Sequence, residues 1–160
     1  MSAEPVHSEG LPMRPFSASL PMALLLAREA TMRRFRPLLS DHGLTEQQWR
    51  VLRALASSDE PLEVTMLASR TALLAPSVTR IVARLADDGL LDRDAVPGDA
   101  RRSTLTLTRA GHELVARIAP QSEAAYAEIE AAFGSDRLAA LLAELEALST
   151  TLDAEATEAA

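Results

Sequence analysis

Arginine supplies all of the permanent positive charge in this 160-residue sequence, which contains no lysine. Arg80 and Arg84 are four residues apart, about one helical turn, and Arg101 and Arg102 are adjacent. A guanidinium is planar, always charged and rich in hydrogen-bond donors, so it binds phosphates and carboxylates well. The four arginines therefore predict binding to an anionic partner, although the chain as a whole has a net charge of −7.

A helix would position the first two of these arginines. The segment PSVTRIVARLADDG, residues 76–89, begins with proline and ends with glycine, as helices often do. Its apolar residues recur at helical spacing and face the core. They are Val78, Ile81, Val82 and Leu85. The outer face then carries Ser77, Arg80 and Arg84, with Thr79 in the first turns, where side chains of a DNA-reading helix reach base edges.

A hairpin would position the other two arginines. LLDRDA (90–95) and STLTLT (103–108) predict two antiparallel strands, and alternation in the second turns its leucines inward and its threonines outward. Arg101 and Arg102 then lie at the tip, where Asp99 could hold Arg101 in a forked ion pair. The tip is either a solvated turn or a cationic probe of the DNA minor groove. The basic helix face before it favours DNA.

The remaining elements are predicted to be helices. A capping box of Thr45 and Gln48 opens one of them, and Pro37 should kink or shorten the helix before it. The predicted ranges are about Leu20–Leu39, Thr45 to residue 56, about Thr65–Thr71, Thr108 to Gly134 with a bend at Pro120, and from Ser135 onward. The fold class is therefore mainly α with a small antiparallel hairpin, ordered as a winged helix-turn-helix.

Composition excludes several classes of function. The absence of cysteine excludes disulfides, thiolate catalysis and cysteine zinc sites. His7, His42 and His112 lack metal-ligand spacing, and no phosphate loop, nucleophile elbow or carboxylate pair is present. We therefore expect no enzyme, no metal and no cofactor. The apolar run LPMALLLA (20–27) is too short to span a bilayer, so we expect a cytoplasmic protein that has no membrane partner.

Four segments resemble the MarR family of regulators: LTEQQWRVLRAL, PSVTRIVARLADDGLLDRD, PGDARRSTLTLTRAG and YAEIEAAFG. SLPMALLLAREATMRRFRPLL, followed by HGLTEQQWRVLRAL, is similar to the subfamily that regulates homoprotocatechuate degradation. The resemblance implies a homodimer on a palindromic operator, with helices in major grooves, wings in minor grooves, and release by a small aromatic acid. It implies DNA contacts from Ser77, Thr79, Arg80, Arg84, Arg101 and Arg102, with Asp99 supporting the wing.

The expected domain organisation is a flexible tail over residues 1–15 and one MarR-like domain over 16–155. Within it, 44–108 form the DNA-binding lobe, and 16–40 and 109–155 form the dimerisation helices. The last helix repeats leucine at spacings of 3 and 4, a coiled-coil pattern predicted to hold the dimer together. These leucines, called here the leucine repeat, are Leu138, Leu141, Leu145, Leu148 and Leu152.

The ligand site is predicted on the first two helices, at Arg28, Met32, Trp49 and Arg53. Arg28 lies on an apolar stripe that should face protein, so its charge needs a neutralising partner. That partner is either an acid at the subunit interface or a ligand carboxylate. Trp49 and Arg53 are one turn apart, and they form either a stacked core pair or a wall against an aromatic ring.

The sequence thus favours a ligand-released repressor of aromatic-acid catabolic genes. The alternative is a winged-helix module that binds protein through the leucine repeat and wing without binding DNA. Ten acidic residues against two arginines in 110–160 place the negative charge outside the predicted DNA-binding lobe. That distribution favours DNA, because DNA responds to the local potential of the face it approaches.

Overall fold

The computed structural model describes residues 14–96 and 99–158, with side chains described for all of these except 96–101 and 156–158. After a single 3-10 turn at Phe16–Ala18, the helices are α1 (Leu20–Asp41), α2 (Glu46–Ala56), α3 (Val64–Thr71), α4 (Ala75–Asp87), α5 (Arg109–Phe133) and α6 (Ser135–Glu158). The strands are β1 (Leu62–Glu63), β2 (Leu91–Val96) and β3 (Asp99–Leu107). The chain divides into two compact units, residues 1–33 and 34–160.

The described part of the first unit is the beginning of α1, which exposes apolar side chains. Leu20, Leu25 and Leu26 are 46%, 48% and 63% exposed. The apolar stripe that carries Arg28 also includes Leu25, and it was expected to face protein. Within one chain both side chains are exposed. Exposed leucines at helical spacing are typical of a helix that packs against another subunit.

Of the two outcomes predicted for Pro37, a kink or an early end of α1, the structure contradicts the early end, and the kink stays a prediction. The helix continues through Pro37 to Asp41 instead of ending early. Leu38 and Leu39, which follow the proline, are buried and hold the last turn in place. The helix ends where Gly43 takes a positive φ of 68°, and the Leu44 amide donates to the carbonyl of Leu39 at 2.9 Å.

Side-chain hydrogen bonds cap the N-termini of α2 and α5. The Thr45 hydroxyl accepts from the Gln48 amide and the Gln48 side chain accepts from the Thr45 amide, so the predicted capping box of α2 is confirmed. The Thr108 hydroxyl accepts from the Gly111 amide and caps α5. As predicted, α5 reaches Gly134, its C-cap, and it continues through Pro120. The bend at Pro120 stays a prediction.

The sheet has three strands, one more than the sequence suggested. β3 lies in the middle and pairs antiparallel with β2 on one side and β1 on the other. In this register, Leu62 lies opposite Leu105 and Leu91 lies opposite Leu107. β3 begins at Asp99, so both Arg101 and Arg102 belong to the strand. The prediction that they lie in the turn is therefore wrong, because the strand begins before them. They do lie at the tip end of β3, where the register with β2 shifts between Ala95 and Val96.

Three residues connect α3 to α4. Ala72 adopts a left-handed conformation (φ 49°), and it is the only non-glycine residue with positive φ in the described ranges. This sharp turn is followed by α4, which begins at Ala75, one residue earlier than predicted. Val78, Val82 and Leu85 of α4 are buried against the lobe, whereas Ile81 is half-buried.

Replacing Gly111 by alanine is expected to destabilise the fold by about 1–3 kcal/mol. A Cβ atom at this position would lie 2.0 Å from the carbonyl oxygen of Leu90. That oxygen accepts a hydrogen bond from the Thr108 amide at 3.2 Å, so it cannot move away from the new Cβ without weakening that bond. Chemical denaturation of the variant, with exposed Ala116 changed to serine as control, measures the difference. Equal midpoints for the two variants would contradict the close approach.

Candidate nucleic-acid interface and adjoining pocket

The outer face of α4 carries the predicted base-reading residues. Burial of the opposite face leaves Thr79, Arg80 and Arg84 exposed and Ser77 half-buried. Pro76 lies in the first turn, where its missing amide hydrogen costs nothing. The helix therefore presents a short polar and cationic surface starting from its N-terminal end.

The polar side chains on this face differ in what they already bind. The Thr79 hydroxyl donates to the carbonyl of Ala75 at 3.0 Å. Arg84 Nε lies 3.0 Å from Asp88 Oδ2 of the same helix. In the part of the chain that the structure describes, Arg80 makes no hydrogen bond or ion pair. Arg80 thus presents on this face a guanidinium that no described residue neutralises, and Arg84 presents one that is partly neutralised.

The wing, defined as β2 and β3, places only one of its two adjacent arginines within the described side chains. Those of Asp99 and Arg101 lie outside them, so the predicted ion pair between them stays a prediction. Arg102 Nε donates to Glu63 Oε2 at 2.9 Å, and Arg102 Nη2 donates to the other carboxylate oxygen. The sequence did not indicate this partner, because Glu63 lies 39 residues away. It also belongs to a two-residue strand, which is too short to show the alternation of apolar and polar residues that predicts a strand.

Hydrogen bonds from Arg102 lower the pKa of Glu63 below its ordinary value of 4.5, and a smaller desolvation effect opposes them. Because the pKa is lower in the folded state, this interaction contributes its full stability above the ordinary value. That contribution is lost as the pH falls through the lowered pKa. The ion pair is therefore fully charged at neutral pH.

A pocket of about 210 Å³ lies between α2 and α5. Trp49 and Arg53, both predicted as ligand residues, line it from α2. Sequence reasoning missed the lining residues of α5, which are Val115, Ala119, Ser122 and Glu123. The pocket therefore combines an indole, a guanidinium and small apolar side chains with one carboxylate, that of Glu123. The first three suit a small aromatic anion, whereas Glu123 requires that the anionic group of a ligand lie on the side of Arg53.

Arg53 is oriented by α5 rather than by Trp49. Its Nη1 donates to the hydroxyl of Tyr126 at 3.0 Å, and its guanidinium carbon lies 5.9 Å from the centre of the Tyr126 ring. The ring of Tyr126 also packs edge-on against Phe35, at 4.9 Å between centroids. Trp49 is 7% exposed. The sequence suggested Arg53 stacked on Trp49 as one alternative, whereas the structure places the guanidinium of Arg53 over the ring of Tyr126.

The other predicted site residues lie on α1 and α6. Arg28 Nη1 is 2.7 Å from Glu29 Oε1 of the same helix, with 43% of the Arg28 side chain exposed. Met32 is half-buried. In the leucine repeat, Leu141 and Leu152 are 42% and 54% exposed, and the other three leucines are half-buried. Ligand binding by Arg28 and Met32 and dimerisation through the leucine repeat stay predictions.

Two kinds of site are absent from the residues that the structure describes. No cluster of three or more histidine, aspartate or glutamate side chains there could hold a metal ion. No described helix has a stretch long and apolar enough to cross a bilayer.

The order α2, β1, α3, α4, β2, β3, with an exposed basic face on α4, defines a winged helix-turn-helix DNA-binding protein. Comparison with known proteins then gives the family. The profile of the MarR family matches residues 42–102, and the homoprotocatechuate degradative operon repressor of Escherichia coli is 44% identical over 128 residues, 80% of this chain and 86% of that protein. The chain belongs to the MarR family, whose regulators bind DNA as dimers.

Solved structures of related regulators confirm the fold. The transcriptional regulator PA4135 superposes with a TM-score of 0.79 at 42% identity, covering 86% of this chain and 98% of its own. NadR in complex with 4-hydroxyphenylacetate superposes with a TM-score of 0.74 at 36% identity, covering 86% of this chain and 97% of its own. The protein is thus a DNA-binding transcription regulator, and the interpretation as a protein-interaction module without DNA is disfavoured.

Proposed function

We propose that this protein is a cytoplasmic repressor of aromatic-acid catabolic genes, released from its operator by a small aromatic carboxylate. The similarity to a homoprotocatechuate degradative operon repressor supports the gene class. The 4-hydroxyphenylacetate bound to NadR supports the ligand class. The observation that carries the DNA-binding part is the face of α4, where Arg80 is exposed and unneutralised among the described residues.

DNA recognition divides between α4 and the wing. Ser77, Thr79 and Arg80 approach base edges in the major groove, and Arg80 suits a guanine through a bidentate contact. Arg84 approaches phosphate, which positions the protein without reading sequence. Arg101 of the wing enters the flanking minor groove. In a dimer, two copies of α4 read half-sites about 34 Å apart, which requires a palindromic operator.

Ligand recognition is assigned to the pocket between α2 and α5. Arg53 binds the carboxylate, and the indole of Trp49 packs against the aromatic ring. A volume of about 210 Å³ is below the range of drug-sized sites, which suits a ligand with one ring. The mechanism is a population shift: the ligand favours a spacing of the two lobes that no longer matches the grooves. A coupling free energy of about 1–3 kcal/mol between the two sites is sufficient.

Binding to a palindromic DNA duplex is expected to weaken steeply with added salt and to weaken further with 4-hydroxyphenylacetate. The salt effect arises because each neutralised phosphate releases counterions and contributes about −0.9 to the slope of log K against log salt. Fluorescence anisotropy with labelled duplex, using DNA from the region upstream of the protein's own gene, measures both effects. Benzylamine, an aromatic cation, is the control. Absence of DNA binding at low salt would favour the protein-interaction module, and equal effects of the two compounds would exclude the ligand class.

A further inference from the structure

The ion pair between Glu63 and Arg102 joins the wing to the start of α3. Two guanidinium nitrogens of Arg102 bind the two carboxylate oxygens of Glu63, one of them at 2.9 Å. Such a forked arrangement fixes the angle between the two groups as well as their distance. We propose that Glu63 is a positioning residue for DNA binding, which holds the wing at a set angle to the helix-turn-helix through Arg102. The inference rests on the DNA-binding role proposed above.

Glu63 is placed where three elements meet. It is the last residue of β1 and pairs with Thr104 of the wing strand β3. It is also the N-cap residue of α3, yet its side chain makes no capping hydrogen bond. Side chains at N-cap positions normally accept from the amides of the first turn. Here the carboxylate is directed to Arg102, so it ties the wing strand to the first helix of the helix-turn-helix.

The angle set by this tie bears directly on DNA binding. Arg101 is the neighbour of Arg102, and Arg80 lies on α4, directly after α3 and its turn. For α4 to occupy a major groove while Arg101 enters the adjacent minor groove, the wing must hold one orientation relative to α3 and α4. The hydrogen bond from Arg93 Nε to Ser103 Oγ, at 2.9 Å, joins β2 to β3. That bond stiffens the hairpin, but it does not fix the angle between the hairpin and α3. Other contacts must fix this angle, and the ion pair between Glu63 and Arg102 is one of them.

The negative charge of Glu63 separates the proposal from a purely electrostatic effect, because the two predict opposite changes in DNA affinity. A carboxylate near a DNA-binding surface repels phosphate, so removing it should tighten DNA binding if only its charge mattered. If instead Glu63 positions the wing, removing it weakens operator binding, because a mobile wing must be ordered on binding. The two effects have opposite directions in one measurement.

The test compares Glu63→Ala with Glu60→Ala in the full-length dimer. Glu60 is an exposed acid three residues earlier in the chain, so its loss removes the same charge from the same region. We expect Glu63→Ala to weaken operator binding about 3- to 30-fold, whereas Glu60→Ala leaves it equal or slightly tighter. Arg102→Ala should weaken binding by a similar factor. The double variant Glu63→Ala/Arg102→Ala should lose no more than either single one, because the two residues act as one unit.

Three results would overturn the proposal. The first is tighter or unchanged operator binding by Glu63→Ala. The second is a salt slope that falls by about 0.9 in Arg102→Ala and not in Glu63→Ala, because Arg102 would then bind phosphate directly. The third is a double variant whose loss equals the product of the single losses. Thermal unfolding of each variant excludes global misfolding as the cause of weak binding. Failure of the unmodified protein to bind DNA would instead overturn the proposed function.

Discussion

Replacing Arg80 by alanine is expected to remove about 1–3 kcal/mol of discrimination between operator and unrelated DNA, roughly a 5- to 150-fold loss of specificity. Arg80 is exposed on the outer face of α4, and no described residue neutralises it. A guanidinium with free donors can bind a guanine edge with two parallel hydrogen bonds, which alanine cannot replace. Competition binding with operator and scrambled duplexes at one salt concentration measures the ratio.

Arg84→Ala is the matched control, because Arg84 lies one turn further along the same helix and is paired with Asp88. We expect it to weaken binding to both duplexes by a similar factor and to lower the salt slope by at most about 0.9. Arg101→Ala should resemble Arg84→Ala more than Arg80→Ala. An equal loss of specificity in all three variants would contradict the division between base-reading and phosphate-binding arginines.

Arg53→Ala is expected to abolish release by 4-hydroxyphenylacetate while leaving operator affinity within about twofold. Arg53 is exposed, so its hydrogen bonds to a ligand carboxylate are worth about 1.5–3 kcal/mol. That is comparable to the coupling of about 1–3 kcal/mol that release requires. Trp49 is the only tryptophan and lines the same pocket, so quenching of its fluorescence reports ligand binding. The variant should show neither quenching nor release from DNA.

Two further variants make the ligand test specific. Tyr126→Phe removes the hydroxyl that binds Arg53 at 3.0 Å and keeps the ring that packs on Phe35. We expect it to weaken the ligand by about 3- to 10-fold, the loss of one hydrogen bond that orients the guanidinium. Arg28→Ala tests the other candidate cation. If Arg28→Ala abolishes release and Arg53→Ala does not, the carboxylate site is assigned to the wrong helix.

Short-range features of this fold were predictable from sequence. The capping box of Thr45 and Gln48, the cap at Thr108 and the end of α4 at Gly89 depend on residues within four positions of one another. Such signals carry their own hydrogen bonds and need no knowledge of the rest of the chain. The alternation that predicted β3 is equally local, since it follows from one face of a strand being buried.

Contacts between distant residues were not predictable from the same evidence. Arg53 and Tyr126 are 73 positions apart, and Glu63 and Arg102 are 39 apart. Charge and hydrogen-bonding capacity show that each side chain needs a partner, but they leave several candidates for each. Periodicity and capping residues supplied the order of elements, and the family resemblance implied an aromatic-acid ligand. It did not indicate that Tyr126 orients Arg53 or that Arg102 is tied to α3.

The leucines exposed at the start of α1 and along α6 have a genetic consequence. In the predicted dimer, pairing buries these leucines, so the stability of the chain is expected to depend on its concentration through mass action. Chains altered only on α4 keep the pairing surfaces and combine with normal chains. A mixed dimer then has one unaltered α4, whereas binding to a palindromic operator requires two. A cell that makes both kinds of chain in equal amounts forms only about a quarter fully competent pairs by random association, so such alleles act dominantly over the normal copy.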